Sequence, residues 1–351
     1  MIGSSPARIT LLMAQTTGGI GRHVASLVPE LTRRGADVQI LGPETTRRFV
    51  PDANRTFRAV KIPTDILKLH GLMKSRDLVH AHGLKAGLVA GVALRFRGRP
   101  LLLSTMHNRH RSTFFNRLLL RLSDRVVYVS RDLFESVPGA SDRGGLVIPA
   151  TANVVPIEDD LHAALELGKA PRVVAVGRLH TQKGFDVLIK ASSLVSLDGL
   201  RIFIVGEGPE RNRLERSIAK EGQGSRIVLL GDRADARALI AAGDVFCMPS
   251  RWEGSPLALH EAMAAGKPIV ATRVGGIADM TGEDAALLVS PEDPKALAGA
   301  LQTLLTDRDV AQRLGDAAKR RAAEWPDADA TAVRIADLYE SMLGRPLSGI
   351  R

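Results

Sequence analysis

The sequence contains a single cysteine, Cys247, among 351 residues, so no disulfide can form within the chain. Its longest uninterrupted apolar stretch is residues 86–94, well short of the roughly 20 residues that a membrane-spanning helix needs. Residues 1–8 lack the apolar core of a signal peptide. Aromatic residues make up only 4% of the chain. These absences favour a cytoplasmic protein that neither spans a membrane nor relies on disulfides.

Charge is distributed unevenly along the chain. Residues 1–150 hold 23 Lys and Arg against 10 Asp and Glu, whereas the remaining residues hold 25 against 28. So basic a half is typical of a domain that meets an anionic partner, either nucleic acid or a membrane. No stacking-aromatic motif or zinc finger accompanies the basic residues, so we expect no nucleic-acid partner and favour an anionic membrane.

The arginines are concentrated in residues 95–125, where eight of them are opposed by Asp124 alone. Within this segment, residues 113–122 predict an amphipathic helix with Phe and Leu on one face and Arg117 and Arg121 on the other. Such a helix could lie in a membrane interface, or it could pack on a sheet with its arginines in solvent. The second reading suits the Leu positions better, while the basic surface favours peripheral membrane contact.

Short, continuous apolar runs alternate with helical patterns along the whole chain. This rhythm is typical of parallel strands buried on both faces, and it predicts α/β, doubly wound domains. It pauses at residues 148–171, which carry three prolines and an acidic cluster. We therefore predict a first domain at residues 1–155, a second at 156–325, and a C-terminal helical segment at 326–351.

The first predicted strand leads into Thr16-Thr17-Gly18-Gly19-Ile20-Gly21 and then into a helix. Glycines at this point let backbone amides approach an anion, although a tight turn without any ligand has the same pattern. The dinucleotide fingerprint G-x-G-x-x-G fails because Val24 stands at the third glycine position. A nicotinamide cofactor is therefore disfavoured.

The second domain opens with a buried strand that ends in Gly177-Arg178, followed by Lys183-Gly184. An arginine and a lysine at the carboxyl end of a strand can clamp a diphosphate, the Arg as a fork and the Lys as a point charge. Without their place at the end of a strand, the two residues would be interpreted as solvated surface cations. Ligands of such sheets bind outside the carboxyl ends of the strands, which favours the diphosphate.

Residues 249–266 read as a strand end, a loop and a helix that carry two carboxylates eight positions apart, Glu253 and Glu261. Ser255 is a candidate helix cap, Pro256 suits the first helical position, and Gly266 suits the helix end. Two such carboxylates can accept hydrogen bonds from hydroxyls on two parts of one ligand, with free helix amides between them. Glu261 alone could equally be a surface charge.

These motifs, in this order and together with Gly206-Glu207-Gly208-Pro209, resemble those of the retaining GT-B glycosyltransferases of family 4. The resemblance covers nearly the whole chain. It implies two Rossmann-like domains facing across a cleft, with the last helix crossing back to the first domain. The basic N-terminal domain would bind the acceptor, and the C-terminal domain would bind a nucleoside-diphosphate sugar.

The resemblance also implies a role for each matching position. Arg178 and Lys183 would hold the diphosphate, Glu261 the ribose, and Glu253 the donor sugar. The donor would further be lined by Gly254, Ser255, Pro256 and Leu257, with Gly19 beside the diphosphate. His107, after the predicted strand at residues 101–105, would lie near the sugar, although it could also be a structural histidine.

The predicted activity is transfer of a sugar, with UDP favoured over GDP, to a hydroxyl of a glycan or lipid-linked acceptor in cell-surface polysaccharide or glycoconjugate synthesis. Retention would follow from front-face attack, because both glutamates are assigned to binding. No metal is expected, since Arg178 and Lys183 supply the positive charge and no His or Cys spacing predicts a metal site. The alternatives are a sugar-nucleotide 2-epimerase and a non-catalytic partner protein that binds sugar nucleotide.

Overall fold

The computed structural model describes residues 5–14, 18–50, 56–95, 99–110, 112–151 and 171–348. The chain divides into two compact units, one from Met1–Asn153 with Pro326–Arg351 and the other from Val154–Trp325. The predicted boundary at 155/156 and most of the predicted linker lie outside the described residues, as do Thr16 and Thr17. Among the described residues, no helix combines the length and the apolar character needed to cross a bilayer.

The first unit is built on a parallel sheet of seven strands in the order β3-β2-β1-β4-β5-β6-β7. The strands are β1 Arg8–Met13, β2 Asp37–Gly42, β3 Phe57–Ala59, β4 Leu78–His82, β5 Leu101–Met106, β6 Arg125–Tyr128 and β7 Leu146–Val147. Its helices are α1 Gly19–Arg33, α2 Ile66–Met73, α3 Leu84–Ala93, α4 Thr113–Leu122 and α5 Arg131–Glu135, with 3-10 turns at Glu44–Phe49 and Ser141–Arg143.

The second unit repeats the architecture with six parallel strands in the order β10-β9-β8-β11-β12-β13. The strands are β8 Arg172–Val176, β9 Arg201–Val205, β10 Ile227–Gly231, β11 Val245–Met248, β12 Ile269–Thr272 and β13 Leu287–Val289. The helices are α6 Phe185–Ser192, α7 Arg211–Lys220, α8 Ala236–Ala242, α9 Leu257–Ala264, α10 Gly276–Thr281, α11 Pro294–Thr306, α12 Arg308–Glu324 and, back in the first unit, α13 Ala328–Leu343; a 3-10 turn spans Thr181–Lys183.

Each sheet is covered by apolar side chains on both faces, which explains the continuous apolar runs in the sequence. In β1, Ile9 and Leu11 pack with α1 and α13, whereas Leu12 faces the opposite layer. In β8, Val173 and Val174 divide between two layers in the same way. A fully buried side chain of this size contributes about 1.5–3 kcal/mol, so the strands are fixed by burial on both sides.

The helix α13 follows the second unit in sequence yet packs on α1 in the first. Its Ile335 and Tyr339 are buried in the same core as β1 and α1. Arg34 adds ion pairs to Asp337 at 2.7 Å and Glu340 at 3.1 Å. The helix begins after Asp327, whose side chain accepts a bond from the Ala330 amide at 2.7 Å. The expectation that the last helix returns to the first domain is thereby met by direct packing.

Both sheets reverse their strand order once, between β1 and β4 and between β8 and β11. This arrangement is that of the doubly wound Rossmann fold, in which ligands bind at the carboxyl ends of the strands beside the reversal. In the first unit these ends carry Gly18, His82 and His107, and in the second they carry Gly177 and Pro249. The candidate residues therefore lie where this fold places its ligands.

Candidate functional site

The loop after β11 buries the carboxylate of Glu253, which is 4% exposed. One of its oxygens, Oε1, accepts a hydrogen bond from Lys183 Nζ at 2.6 Å and another from Ser250 Oγ at 2.6 Å. Lys183 ends the 3-10 turn after β8, so the reversal of strand order brings the two together. Lys183 and Glu253, predicted to contact the diphosphate and the sugar respectively, thus form an ion pair with each other.

Two glycines pack closely against the backbone of this loop. Gly184 has φ 64°, and a Cβ there would lie 1.9 Å from the carbonyl oxygen of Pro249. Gly275 has φ 50°, and a Cβ there would lie 1.9 Å from the carbonyl oxygen of Glu253, which also accepts a bond from the Gly276 amide at 3.1 Å. Only glycine fits such close contacts at positive φ.

Glu261 lies on α9 and is 3% exposed. Its Oε1 accepts a hydrogen bond from Arg237 Nε at 2.9 Å, so each of the two predicted glutamates is paired with a cation of its own. The helix begins at Leu257, with Pro256 at the cap position and no side-chain cap bond. The prediction of Ser255 as the cap and Pro256 as the first helical residue is therefore wrong by one position. Pro256 is itself the cap, because its backbone is still extended. Gly266 ends the helix as predicted, its amide bonded to Met263 O at 2.9 Å.

The remaining predicted donor residues of this unit lie in this loop, at the start of α9 and after β8. Arg178 is exposed directly after β8, Ser255 is half-buried, and Gly254, Pro256 and Leu257 are buried. The sequence reasoning missed Ser250 and Arg237 as partners of the glutamates. Ser250 lies within the segment 249–266 that the sequence analysis selected, but Arg237 comes from the separate helix α8 and carried no local signal.

In the first unit, Gly19 is the exposed first residue of α1, and the predicted His107 lies just beyond β5. His107 Nε2 is 3.2 Å from His82 Nδ1, and both side chains are buried. His23 of α1 is buried beside them, with its Nδ1 2.9 Å from the carbonyl oxygen of Thr151. The structure therefore groups His107 with two histidines that the sequence reasoning did not select.

A fourth histidine, His80, has both ring nitrogens in hydrogen bonds. Its Nδ1 is 2.6 Å from the Tyr339 hydroxyl, and its Nε2 is 2.6 Å from Thr105 Oγ1. The alternation His80-Ala81-His82 could have signalled two imidazoles on one face of a strand.

All four imidazoles are held neutral by their surroundings. Burial lowers the pKa of His23 to about 4, opposed in part by its bond to Thr151. Burial also places the pKa values of His80, His82 and His107 well below the ordinary range, and the neighbouring imidazoles lower them further. Neutral imidazoles can donate, accept or ligate a metal, whereas imidazolium can only donate.

The predicted amphipathic helix is α4, and its leucines and phenylalanines do not share one buried face. Leu119 and Leu120 are buried, as expected for the Leu positions. Phe114 is 67% exposed and Phe115 46% exposed, their rings 5.4 Å apart.

Comparison with known proteins assigns both halves of the chain to glycosyltransferases. The family described as "Glycosyltransferase Family 4" matches residues 17–138, and "Glycosyl transferases group 1" matches residues 170–307. The chain is 27% identical to the lipopolysaccharide core biosynthesis mannosyltransferase LpsB of Rhizobium meliloti, over 94% of this chain and 95% of that protein. It is 28% identical to an Escherichia coli UDP-Gal:alpha-D-GlcNAc-diphosphoundecaprenol alpha-1,3-galactosyltransferase, over 65% of this chain and 66% of that protein.

Among solved structures, Anabaena HepE in complex with UDP-glucose superposes with a TM-score of 0.83 at 22% identity, covering 95% of this chain and 99% of that one. At this identity the likeness bears on the fold, and it agrees with the two strand orders described above. The chain belongs to the group 1 glycosyltransferases of family 4, and it is a glycosyltransferase with the GT-B fold.

Proposed function

We propose that this enzyme transfers a sugar from a UDP-sugar to a hydroxyl of a glycan or lipid-linked acceptor, with retention at the anomeric carbon, in cell-surface polysaccharide or glycoconjugate synthesis. The observation that carries the proposal is the buried Lys183–Glu253 pair at the carboxyl ends of β8 and β11. The UDP-Gal donor and the lipopolysaccharide product in the names of two relatives support the substrate class, and the UDP-glucose complex of HepE supports uracil as the base.

On donor binding, residues of the site would exchange hydrogen bonds with each other for hydrogen bonds to the donor. Lys183 Nζ, now 2.6 Å from Glu253, would turn part of its hydrogen bonding to the diphosphate. Arg178, exposed after the same strand β8, would contribute a second cation. Glu253 would then accept hydrogen bonds from hydroxyls of the donor sugar, with Gly254, Ser255, Pro256 and Leu257 lining it.

Glu261 would accept hydrogen bonds from the ribose hydroxyls. Its Oε1 accepts a hydrogen bond from Arg237 Nε at 2.9 Å, which holds the carboxylate in place for the nucleotide. Gly19 of the first unit would approach the diphosphate, because a helix N-terminus offers unpaired amides to an anion.

Retention would arise from front-face attack. The acceptor oxygen would form its bond to the anomeric carbon on the face from which the diphosphate departs, and its proton would pass to the departing phosphate oxygen. Retaining hydrolases instead use a free carboxylate nucleophile about 5 Å from a second carboxylate. Here both glutamates are paired with cations, which suits them to binding hydroxyls.

Protein charge would supply the electrostatic stabilisation of the leaving diphosphate. Arg178 and Lys183 would offset the charge that grows on the phosphate as the glycosidic bond breaks, so we expect transfer to need no metal cofactor. His107, kept neutral by burial, would contact the donor sugar by a hydrogen bond. Turnover that EDTA abolishes and magnesium restores would contradict this scheme.

The donor site is tested by thermal unfolding with UDP, GDP, ADP and NAD added separately. UDP at about 100 times its dissociation constant should add about 2.7 kcal/mol of stability, and NAD should add nothing. The effect should disappear in Glu261→Gln and persist in Glu283→Gln, a matched glutamate that is paired with Arg273 on the surface of the same unit. Stabilisation by GDP in place of UDP would overturn the assignment of the base.

The reaction itself is tested with a panel of UDP-sugars and membrane-extracted acceptors. Release of UDP only when acceptor is present supports transfer, and the anomeric proton coupling of the product reports retention. Conversion of the donor to its 2-epimer without transfer would instead support the epimerase reading. Binding without turnover on any acceptor would support a partner-protein role.

We also propose that the first unit contacts an anionic membrane at the inner face of the cell membrane. The exposed Phe114 and Phe115 rings lie beside the exposed Arg117 and Arg121 on α4. Aromatic rings enter the interface, and each basic side chain near anionic lipid contributes about 1 kcal/mol.

Co-sedimentation with phosphatidylglycerol vesicles at low salt tests this contact. Replacing Phe114 and Phe115 by Ser should weaken binding roughly tenfold or more, because a buried ring contributes about 1.5–3 kcal/mol. Leu194→Ser, at an exposed apolar position of the second unit, should leave vesicle binding unchanged. A wild-type protein that does not bind these vesicles would remove the proposal.

A further inference from the structure

Three buried histidines form a nearly equilateral triangle at the strand reversal of the first unit. The ring centroids are 5.7 Å apart for His23 and His82, 5.6 Å for His23 and His107, and 5.5 Å for His82 and His107. They come from α1, the end of β4 and the residue after β5. Three imidazoles are thus arranged around a common point by three separate elements.

This triangle has nearly the size of a trihistidine metal site. Three imidazoles bound to one ion at a metal–nitrogen distance of about 2.0–2.1 Å and tetrahedral angles would place their centroids about 5.2 Å apart. One ring nitrogen from each histidine lies within 4.8 Å of the other two. The separation of His82 Nδ1 and His107 Nε2, 3.2 Å, is close to the roughly 3.3 Å expected between two ligands of such an ion.

The hydrogen bonds around the triangle also suit a metal site. His23 directs its Nδ1 to the carbonyl oxygen of Thr151 at 2.9 Å, which fixes Nδ1 as the protonated nitrogen and leaves a lone pair on Nε2. Metal-ligating histidines commonly donate their second nitrogen to a backbone carbonyl in this way.

We propose that His23, His82 and His107 bind one first-row divalent transition ion, with zinc as the expected occupant. Neutral imidazole is a preferred ligand of zinc, and three protein ligands leave one tetrahedral position open. The bound ion ties the second turn of α1 to the ends of β4 and β5. The transfer scheme above requires no ion at this site, although it uses one of the three ligands, His107, to contact the donor sugar.

In the ion-free protein, the His82–His107 contact is a hydrogen bond between two neutral rings. The ion takes the lone pair of the accepting nitrogen, and the shared proton moves to the other nitrogen of its own ring. His80 lies 4.0 Å from His82 between ring centroids but is not a ligand, because Tyr339 and Thr105 already occupy both of its nitrogens.

The test uses the full chain without a histidine tag, stripped with chelator and then dialysed. Calorimetric titration with zinc chloride should give one ion per chain. Titration with cobalt chloride should give the intense visible bands of tetrahedral cobalt. X-ray absorption of the wild type with one equivalent of zinc should show at least three imidazole nitrogens and no sulfur ligand.

Variants then identify the ligands. His23→Asn, His82→Asn and His107→Asn should each weaken zinc binding by roughly 100-fold or more, because loss of a mere outer-shell partner already costs about 10–100-fold. His260→Gln, at a buried histidine of the second unit, should bind zinc like the wild type. Thermal unfolding of each variant shows whether it is folded before it is compared.

Several results would overturn the site. The proposal is wrong if the wild-type protein takes up no zinc at one equivalent. It is also wrong if the cobalt spectrum has the form of an octahedral ion, or if the X-ray absorption spectrum shows fewer than three imidazoles. Unchanged zinc affinity in a folded variant of any of the three histidines would also overturn it. Should a variant fail to fold, the wild-type absorption spectrum alone decides, and none of these readouts depends on sugar transfer.

Discussion

The close contact between Gly184 and the β11 loop makes a quantitative prediction for the substitution Gly184→Ala. Gly184 is buried at φ 64°, and a Cβ there would stand 1.9 Å from Pro249 O. Gly222, after α7, has nearly the same φ of 66°, but a Cβ there would meet nothing within 4 Å. The two substitutions therefore share the free-energy cost of a left-handed backbone and differ only in whether the new methyl group clashes with a neighbouring atom.

The left-handed conformation costs an alanine about 1–2 kcal/mol, and Gly222→Ala should lose that amount. Forcing an extra methyl group into a packed site costs about 1–3 kcal/mol more. Gly184→Ala should therefore lose about 2–5 kcal/mol. Because the displaced carbonyl belongs to the loop that carries Ser250 and Glu253, UDP binding should weaken in Gly184→Ala and not in Gly222→Ala.

Tryptophan fluorescence during urea unfolding measures this difference in the right part of the molecule. Both tryptophans of the chain, Trp252 and Trp325, belong to the second unit, which also holds both glycines. The free energy of unfolding follows from the midpoint and slope of the transition. Equal losses in the two variants, or a larger loss in Gly222→Ala, would refute the packing argument.

Three further predictions rest on individual contacts. Cys247 is 1% exposed, and burial raises the pKa of its thiol. A thiol reagent such as Ellman's should therefore react with it only after unfolding, and rapid reaction of the native protein would contradict this burial. Tyr339→Phe removes the hydrogen bond to His80 Nδ1 and should lower the free energy of unfolding by about 1–3 kcal/mol. The loss should be seen as faster amide exchange in β4, and unchanged exchange would show that the bond contributes nothing. Arg237→Gln removes the cation bound to Glu261 and should weaken UDP binding measured by calorimetry, with Arg273→Gln as the surface control.

The strands of both sheets could be predicted because their signal is local. Burial on two faces demands continuous apolar runs, and such a run marks nearly every strand of the two units. The exception is β3, Phe57–Ala59, a strand of three residues with Arg58 at its centre. An edge strand this short is fixed by its pairing with β2 and leaves no periodic trace in the sequence.

The candidate site could be predicted only in part, because contacts between side chains depend on the order of the strands. Sequence spacing relates Glu253 to Glu261, which share one loop and helix, but each carboxylate is bound by a cation from elsewhere in its unit. The partners Lys183 and Arg237 are 70 and 24 positions away along the chain. Sequence spacing did not group His23, His82 and His107 for the same reason, since they come from three different elements.

Strand order explains why these distant residues meet. In each unit the chain leaves the central strand in one direction, builds two more strands, and returns to the other side of the central strand. The two strands beside the reversal are therefore neighbours in space but separated by two strand–helix units in sequence. Lys183 and Glu253 follow two such strands in the second unit. In the first unit, His23 lies on the helix that follows β1 and His82 is the last residue of β4, with His107 one strand further along. The polar residues at the ends of the two strands beside the reversal are therefore the ones to examine together for a shared site, whatever the distance between them in sequence.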